Sequence, residues 1–212
     1  MTNELPQGPA EWDAMHPYAS LTPDAVLDAL ADIGLMGDGR LIALSSYENR
    51  VYQIQLETER APAQTDGTPV PESVVAKFYR PGRWTDAQIQ EEHDFAAELV
   101  AAEVPVVPPL NLQGRTLHYK SFVKGVNSSA AQRANLAEPQ KTVQGFSFSV
   151  SERRGGRRPE LDDDEVLEWI GRFLARIHTV GAAKAFHNRP SLSIDTFMQE
   201  PKEWLLHNKA IP

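Results

Sequence analysis

The 212-residue chain contains no cysteine. That absence excludes a disulfide framework, thiolate metal ligation and a cysteine nucleophile, and it fits a reducing compartment. Basic residues are outnumbered: 21 Lys+Arg against 29 Asp+Glu give a formal net charge of -8. This is the wrong sign for general attraction to nucleic acid or an anionic membrane, which needs a basic face. No stretch approaches the roughly 18–20 uncharged apolar residues of a membrane span. The amino-terminal region carries Glu4, Glu11 and Asp13 and no apolar run, so no secretory signal is read there. The expectation is a soluble, cytoplasmic protein with neither a nucleic-acid nor a membrane partner.

Histidines are few and badly spaced for metal. His16, His93, His118, His187 and His207 show no ligand pattern. His178 lies beside an apolar helical stripe and is expected to be a hydrogen-bonded packing residue. No paired-carboxylate or Ser/His/Asp constellation stands out. Arg153, Arg154, Arg157 and Arg158, around Gly155 and Gly156 and followed by Asp162, Asp163 and Asp164, read as a solvated loop, with an anion site as the alternative.

What is present is enough apolar material, 41% of residues, for an ordinary domain. Residues 1–18 are polar, contain Pro6, Pro9 and Pro17, and read as a flexible arm. Thr22 then offers a helix cap, with Pro23 at the first helical position, Val26, Leu27, Leu30 and Ile33 at helical spacing, and Gly34 as the stop. Residues 41–44 and 51–57 read as strands joined by the polar SSYENR tip at 45–50. Residues 58–73 form a proline-containing loop, and 74–79 return as a third strand. Residues 110–112 and 116–119 read as a hairpin around Gln113 and Gly114, and 120–144 as a polar loop or insertion. Phe146, Phe148 and Val150 alternate with serines as a strand that runs into a hinge at 151–158. From there the pattern is helical, with an apolar stripe of Val166, Leu167, Ile170, Phe173, Leu174 and Ile177, Asp162 and Glu165 as its capping box, and a last helical piece around 201–206.

The organising stretch is VVAKFYRPGRW (74–84) with the helix that follows it. In a strand, Val75, Lys77 and Tyr79 share one face, and Val74, Ala76 and Phe78 the other. A lysine there needs a partner or a role. Thr85 as cap, Gln88 as its reciprocal partner and Trp84 with Ile89 as a staple fix the helix start. Ile89, Glu92, Phe95, Ala96 and Leu99 then fall on one stripe, while Glu91 is rotated about 100° away. Helical phase therefore makes Glu92 the counter-ion expected for Lys77, with Glu91 as the alternative.

These pieces follow the order of a protein-kinase-like amino-terminal lobe: polar hairpin, strand with VAK, helix with Glu, five-stranded sheet, hinge, helices. The wording is more specific. SYENRVYQ (46–53), KFYRPGRW (77–84), EEH (91–93), EVPV (103–106), GGR (155–157), HNRP (187–190) and EP (200–201) resemble the bacterial stress response kinase A family, also called RdoA or YihE proteins. The resemblance covers the chain from about residue 16, and is weak at 58–73 and 120–144.

The resemblance implies an α+β fold. Residues 19–150 would form the kinase-like lobe, a five-stranded antiparallel sheet plus helix, and 159–212 the first helices of an incomplete second lobe. It implies an ATP- and magnesium-dependent Ser/Thr protein kinase, with ATP and a protein substrate as partners. Lys77 would hold the nucleotide phosphates, Glu92 would pair with it, and Ser46 would sit at the phosphates. The backbone around Val150, Ser151 and Glu152 would face adenine. The family's HGDxHxxN loop, with its base and magnesium-binding asparagine, does not occur in these 212 residues. Neither a catalytic residue nor a metal ligand is therefore assigned, and the chain alone is expected to be inactive. Two alternatives remain open: a fragment of a small-molecule kinase acting on an aminoglycoside or homoserine-like substrate, and a non-catalytic nucleotide- or partner-binding module.

Overall fold

The computed structural model describes residues 17–57, 63–123 and 143–210. Helix α1 (Pro23–Asp32) begins as its sequence dictates: the Thr22 side chain accepts the Ala25 N–H at 3.2 Å, and Pro23 occupies the first turn, where no helical acceptor is lost. Gly34 ends it with a φ of 86°, a conformation that costs a residue without Cβ little. Val26, Ala29 and Leu30 on its inner face are fully buried. Each such Val or Leu contributes on the order of 1.5–3 kcal/mol.

Five strands follow, β1 (Gly37–Leu44), β2 (Arg50–Leu56), β3 (Ser73–Phe78), β4 (His118–Val123) and β5 (Val143–Glu152). They form one antiparallel sheet in the order β1-β2-β3-β5-β4. Register decides the two faces. Tyr52 lies opposite Ala76, Ile54 opposite Val74, and Val150 and Phe148 opposite Ala76 and Phe78. These residues pack with α1, Leu110 and Leu112 into the core, where Phe78 and Phe148 stack at 5.1 Å. The other face carries Val75, Lys77, Ser149 and Ser151, and α2 (Asp86–Ala101) meets it. Helix α2 has the expected capping box, Thr85 Oγ1 accepting the Gln88 N–H at 3.2 Å and Gln88 Oε1 accepting the Thr85 N–H at 2.9 Å. Ser147 Oγ, 2.8 Å from Asp86 Oδ1, ties that helix start to β5.

Several boundaries differ from the sequence reading. Tyr18 does not belong to an arm: it is buried, its ring stacks on Phe146 at 5.6 Å, and its hydroxyl donates to the Glu48 carbonyl at 2.9 Å. Burial pushes that hydroxyl up to about 12, against the opposing pull of Arg50. Residues 1–16, the rest of the expected arm, lie outside the described residues. Residues 110–112 are not a hairpin strand. Leu110 N–H donates to the Val150 carbonyl at 2.7 Å, Pro109 bridges Ser151, and Leu112 bridges Arg115 in a tight turn. The fourth strand starts later and runs to Val123, because His118, Lys120 and Phe122 face the core side opposite Phe148, Phe146 and Gln144. Lys120, expected in a loop, reaches Asp32 at the end of α1. The remainder of the expected loop, 124–142, and residues 58–62 lie outside the described residues. In the 63–72 part of the proline-containing loop, Val70 is buried and Thr65 bonds Asn111.

Beyond β5, residues 153–163 form no helix or strand. Helix α3 (Asp164–Ala182) is capped by Asp163, whose carboxylate accepts the Glu165 N–H at 2.9 Å, and not by Asp162. Its stripe is only partly covered: Leu167 and Leu174 are exposed and no α3 residue is buried. His178 is exposed as well, which removes the packing role read from its neighbours. Helix α3 meets α2 through Gly181 beside Phe95, and Arg176 donates to the carbonyl of Glu103, just past the end of α2, at 2.6 Å. A π-helical turn (Asp195–Gln199) leads into α4 (Glu200–His207). Among the described residues no helix is long and apolar enough to cross a membrane.

Candidate functional site

Strand alternation turns Lys77 away from the core and toward α2, where Glu92 Oε1 lies 2.9 Å from its Nζ. Helical phase had singled out that glutamate, and the geometry agrees. The two side chains are 32% and 37% exposed. An ion pair this open contributes about 0–1 kcal/mol to stability, so it is a weak reason for a lysine in mid-sheet. What it does provide is a fixed ammonium on an open sheet face. The ammonium also lies 4.6 Å from the centre of the Tyr79 ring, a cation–π contact that limits its swing.

Glu91 does something else. Its carboxylate receives three backbone N–H groups from another part of the chain, those of His187 at 2.6 Å, Asn188 at 2.9 Å and Arg189 at 2.8 Å. These bonds, His187 first, hold Glu91 below the usual carboxylate range, against a smaller opposing effect of desolvation. Arg189 then turns its guanidinium onto the second oxygen of Glu92 at 3.1 Å and stacks on Trp84 at 4.3 Å.

Behind Lys77 lies a buried polar chain. Tyr79 Oη meets His93 Nε2 at 2.9 Å and Ser149 Oγ at 3.2 Å, and His93 Nδ1 meets Thr116 Oγ1 at 2.9 Å. Burial pushes the Tyr79 hydroxyl up, with Lys77 opposing, and pushes His93 down, so the imidazole is favoured neutral. Sequence reading missed His93, although it sits one turn from Ile89 on the inner stripe, and Tyr79, although it shares a strand face with Lys77. Arg189 carries no local signal, because its partners are about a hundred residues away in sequence.

Ser46 lies at the exposed β1–β2 tip. That tip is fastened to the turn after β3: Glu48 Oε1 pairs with Arg83 Nε at 2.6 Å, and Asn49 Oδ1 accepts the Arg80 N–H at 3.3 Å. Val150, Ser151 and Glu152 end β5 opposite Ala76, Val75 and Val74. The Val150 carbonyl is taken by Leu110, and the Arg153 N–H by Ser73 at 3.2 Å. The structure thus brings Lys77 and Glu92 into contact, while Ser46 stands at the tip and Val150, buried in the core, faces away from Lys77. Among the described residues no group of three or more His, Asp or Glu side chains is arranged to hold a metal ion.

A sequence model described as the phosphotransferase enzyme family matches residues 40–208. The chain is 37% identical over 195 residues to stress response kinase A of Escherichia coli K12, covering 92% of this chain and 49% of that protein. Identity and coverage are the same for the serine/threonine protein kinase RdoA of Salmonella typhimurium LT2. The chain thus spans about half the length of the curated relatives it matches. Among solved structures, it is similar to the amicoumacin kinase hAmiN in complex with AMP-PNP, Ca2+ and Ami, with a TM-score of 0.55 at 15% identity, over 93% of this chain and 57% of that one. It is also similar to a microcompartment-associated aminopropanol kinase, with a TM-score of 0.52 at 16% identity, over 85% of this chain and 49% of that one. At these identities the two structures speak to the fold alone.

Proposed function

Since this chain belongs to the phosphotransferase enzyme family, we propose that the open face around Lys77 holds the phosphates of ATP in a Ser/Thr protein kinase of the stress response type. The observation that carries this reading is the half-exposed Lys77–Glu92 pair, 2.9 Å long, on a sheet face that has little structural need of it. A compact ammonium steadied by one carboxylate fits a phosphate oxygen well, because the remaining N–H donors stay available to it. When bound, ATP supplies the phosphoryl group.

The chain's own residues bind and orient it. Lys77 offsets phosphate charge, and Glu92 keeps the ammonium in place. Ser46 and the backbone of the β1–β2 tip close over the phosphates, with Glu48 and Arg83 anchoring the tip. In this reading the end of β5 at 150–152 borders the adenine; the Val150 carbonyl and the Arg153 N–H are already bonded, and Ser151 pairs with Val75 in the ladder. Magnesium belongs to the same reading, yet the described residues offer it no ligand cluster. With no HGDxHxxN segment in the sequence, no step of phosphoryl transfer is assigned to this chain. The protein-hydroxyl substrate rests on the names of the 37%-identical relatives.

The test is calorimetric titration of ATP into the 212-residue protein and its variants. Binding to the wild type is expected, with a loss of roughly tenfold or more in Lys77→Ala, the worth of a charge-assisted hydrogen bond. Glu92→Gln should weaken binding less. Affinity unchanged by Lys77→Ala, or no binding to the wild type, would sink the reading, and loss in Glu91→Gln with none in Glu92→Gln would move the pairing role by one residue.

A further inference from the structure

Two adjacent glutamates on α2, rotated about 100° from each other, grip one short segment, residues 187–189. Glu91 takes its main chain through three N–H groups, and Glu92 takes the side chain of Arg189. Glu92 is therefore shared: Oε1 serves Lys77 at 2.9 Å and Oε2 serves Arg189 at 3.1 Å. We propose that Arg189 is a positioning residue for Lys77, acting through Glu92, and this rests on the reading of Lys77 as the phosphate-holding group.

A glutamate bonded at one oxygen keeps freedom about three side-chain torsions, and ordering it at the moment of ligand binding costs entropy. Arg189 removes that freedom in advance. Its guanidinium is planar, stacks 4.3 Å over Trp84, and has Glu92 as the only carboxylate it pairs with among the described residues. Trp84 also meets a second guanidinium, that of Arg83, 4.8 Å from its ring centre. Glu91 fixes the main chain that carries Arg189, so the side chain approaches Glu92 from a set direction. Part of the protein well outside the sheet thereby sets the geometry of the lysine within it.

The test measures site-resolved acylation of lysines in the intact 212-residue protein, using the N-hydroxysuccinimide ester of acetic acid and mass spectrometry. In Arg189→Met, Lys77 should be acylated severalfold faster than in the wild type, because its carboxylate partner has become mobile. Arg189→Lys, which keeps a cation for Glu92 but loses the planar stack on Trp84, should restore part of the protection. Lys184, paired with Glu98 on the same helix, and Lys120, paired with Asp32 across the molecule, serve as internal controls and should be unchanged. An unchanged or slower Lys77 in Arg189→Met overturns the proposal. So does a rise at Lys184 equal to that at Lys77, which reports the whole segment undocking, and so does failure of Arg189→Lys to protect. Adding ATP to the wild type tests the underlying reading separately: absence of ATP protection at Lys77 refutes nucleotide binding, while the Arg189 effect is read without ATP.

Discussion

Tyr79 and His93 share a buried hydrogen bond, Oη 2.9 Å from Nε2, behind the partly exposed Lys77–Glu92 pair. A polar support of this kind has to stay neutral, because a charged imidazole in a buried place is costly.

That sets the direction of a pH effect. Burial lowers the affinity of His93 and of His118 for a proton, with Arg115 adding to the effect at His118. The unfolded chain takes up those protons near pH 6.5, so below that value it binds more protons than the folded chain, and stability falls as pH falls. Urea midpoints should therefore drop between pH 7.5 and 5.5. The drop should shrink in His93→Gln, measured against its own value at pH 7.5; an identical slope in variant and wild type would remove His93 from the account.

The clamp made by Glu91 titrates lower. Its carboxylate is held below the usual range by the His187, Arg189 and Asn188 N–H groups. A depressed folded value means that its contribution is present above the ordinary glutamate value and is lost as pH falls through the depressed one. Amide hydrogen-exchange protection at residues 187–189, corrected for intrinsic rates, should persist at neutral pH and vanish on acidification. Glu91→Ala should abolish it even at pH 7. Protection that survives Glu91→Ala would assign the docking of this segment to other contacts.

Phe148 is 1% exposed and stacks on Phe78, while Tyr119, on the neighbouring strand, is 64% exposed. Phe148→Ala should destabilise the protein by about 3–5 kcal/mol through lost transfer energy and the cavity left behind. Tyr119→Ala should stay within about 0.5 kcal/mol. Equal losses in chemical denaturation would mean that the core has been placed on the wrong face of the sheet.

Helix α3 and the segment after it expose Leu167, Trp169, Leu174, Leu192, Ile194 and Met198. Large apolar side chains exposed in this number favour association. The 212-residue protein should bind an apolar fluorescent dye and sediment with a concentration-dependent mass, and Leu167→Glu with Leu174→Glu should reduce both. A strictly monomeric, dye-free wild type would show this surface to be covered in solution.

Much of the fold was legible because its causes are local. Thr22 and Thr85 cap helices through groups three residues away, Gly34 stops a helix by its own backbone freedom, and the alternation of Phe146, Phe148 and Val150 with serines fixes which face of β5 is buried. The pairing of Lys77 with Glu92 followed from two periods, two for the strand and 3.6 for the helix, once strand and helix were taken to pack together. The start of β4 was not local: which of the residues from Leu110 to Val123 pair is decided by the edge that β5 offers, so the Leu110 segment bridges and the His118 segment ladders. Tyr18 looked like part of a polar arm because its partners, Phe146 and Glu48, are distant in sequence. The same holds for the grip of Glu91 and Glu92 on residues 187–189. The sequence by itself put Glu92 ahead of Glu91 as the partner of Lys77; only the tertiary structure decided that Arg189 would share that carboxylate, because packing alone brings together groups a hundred residues apart.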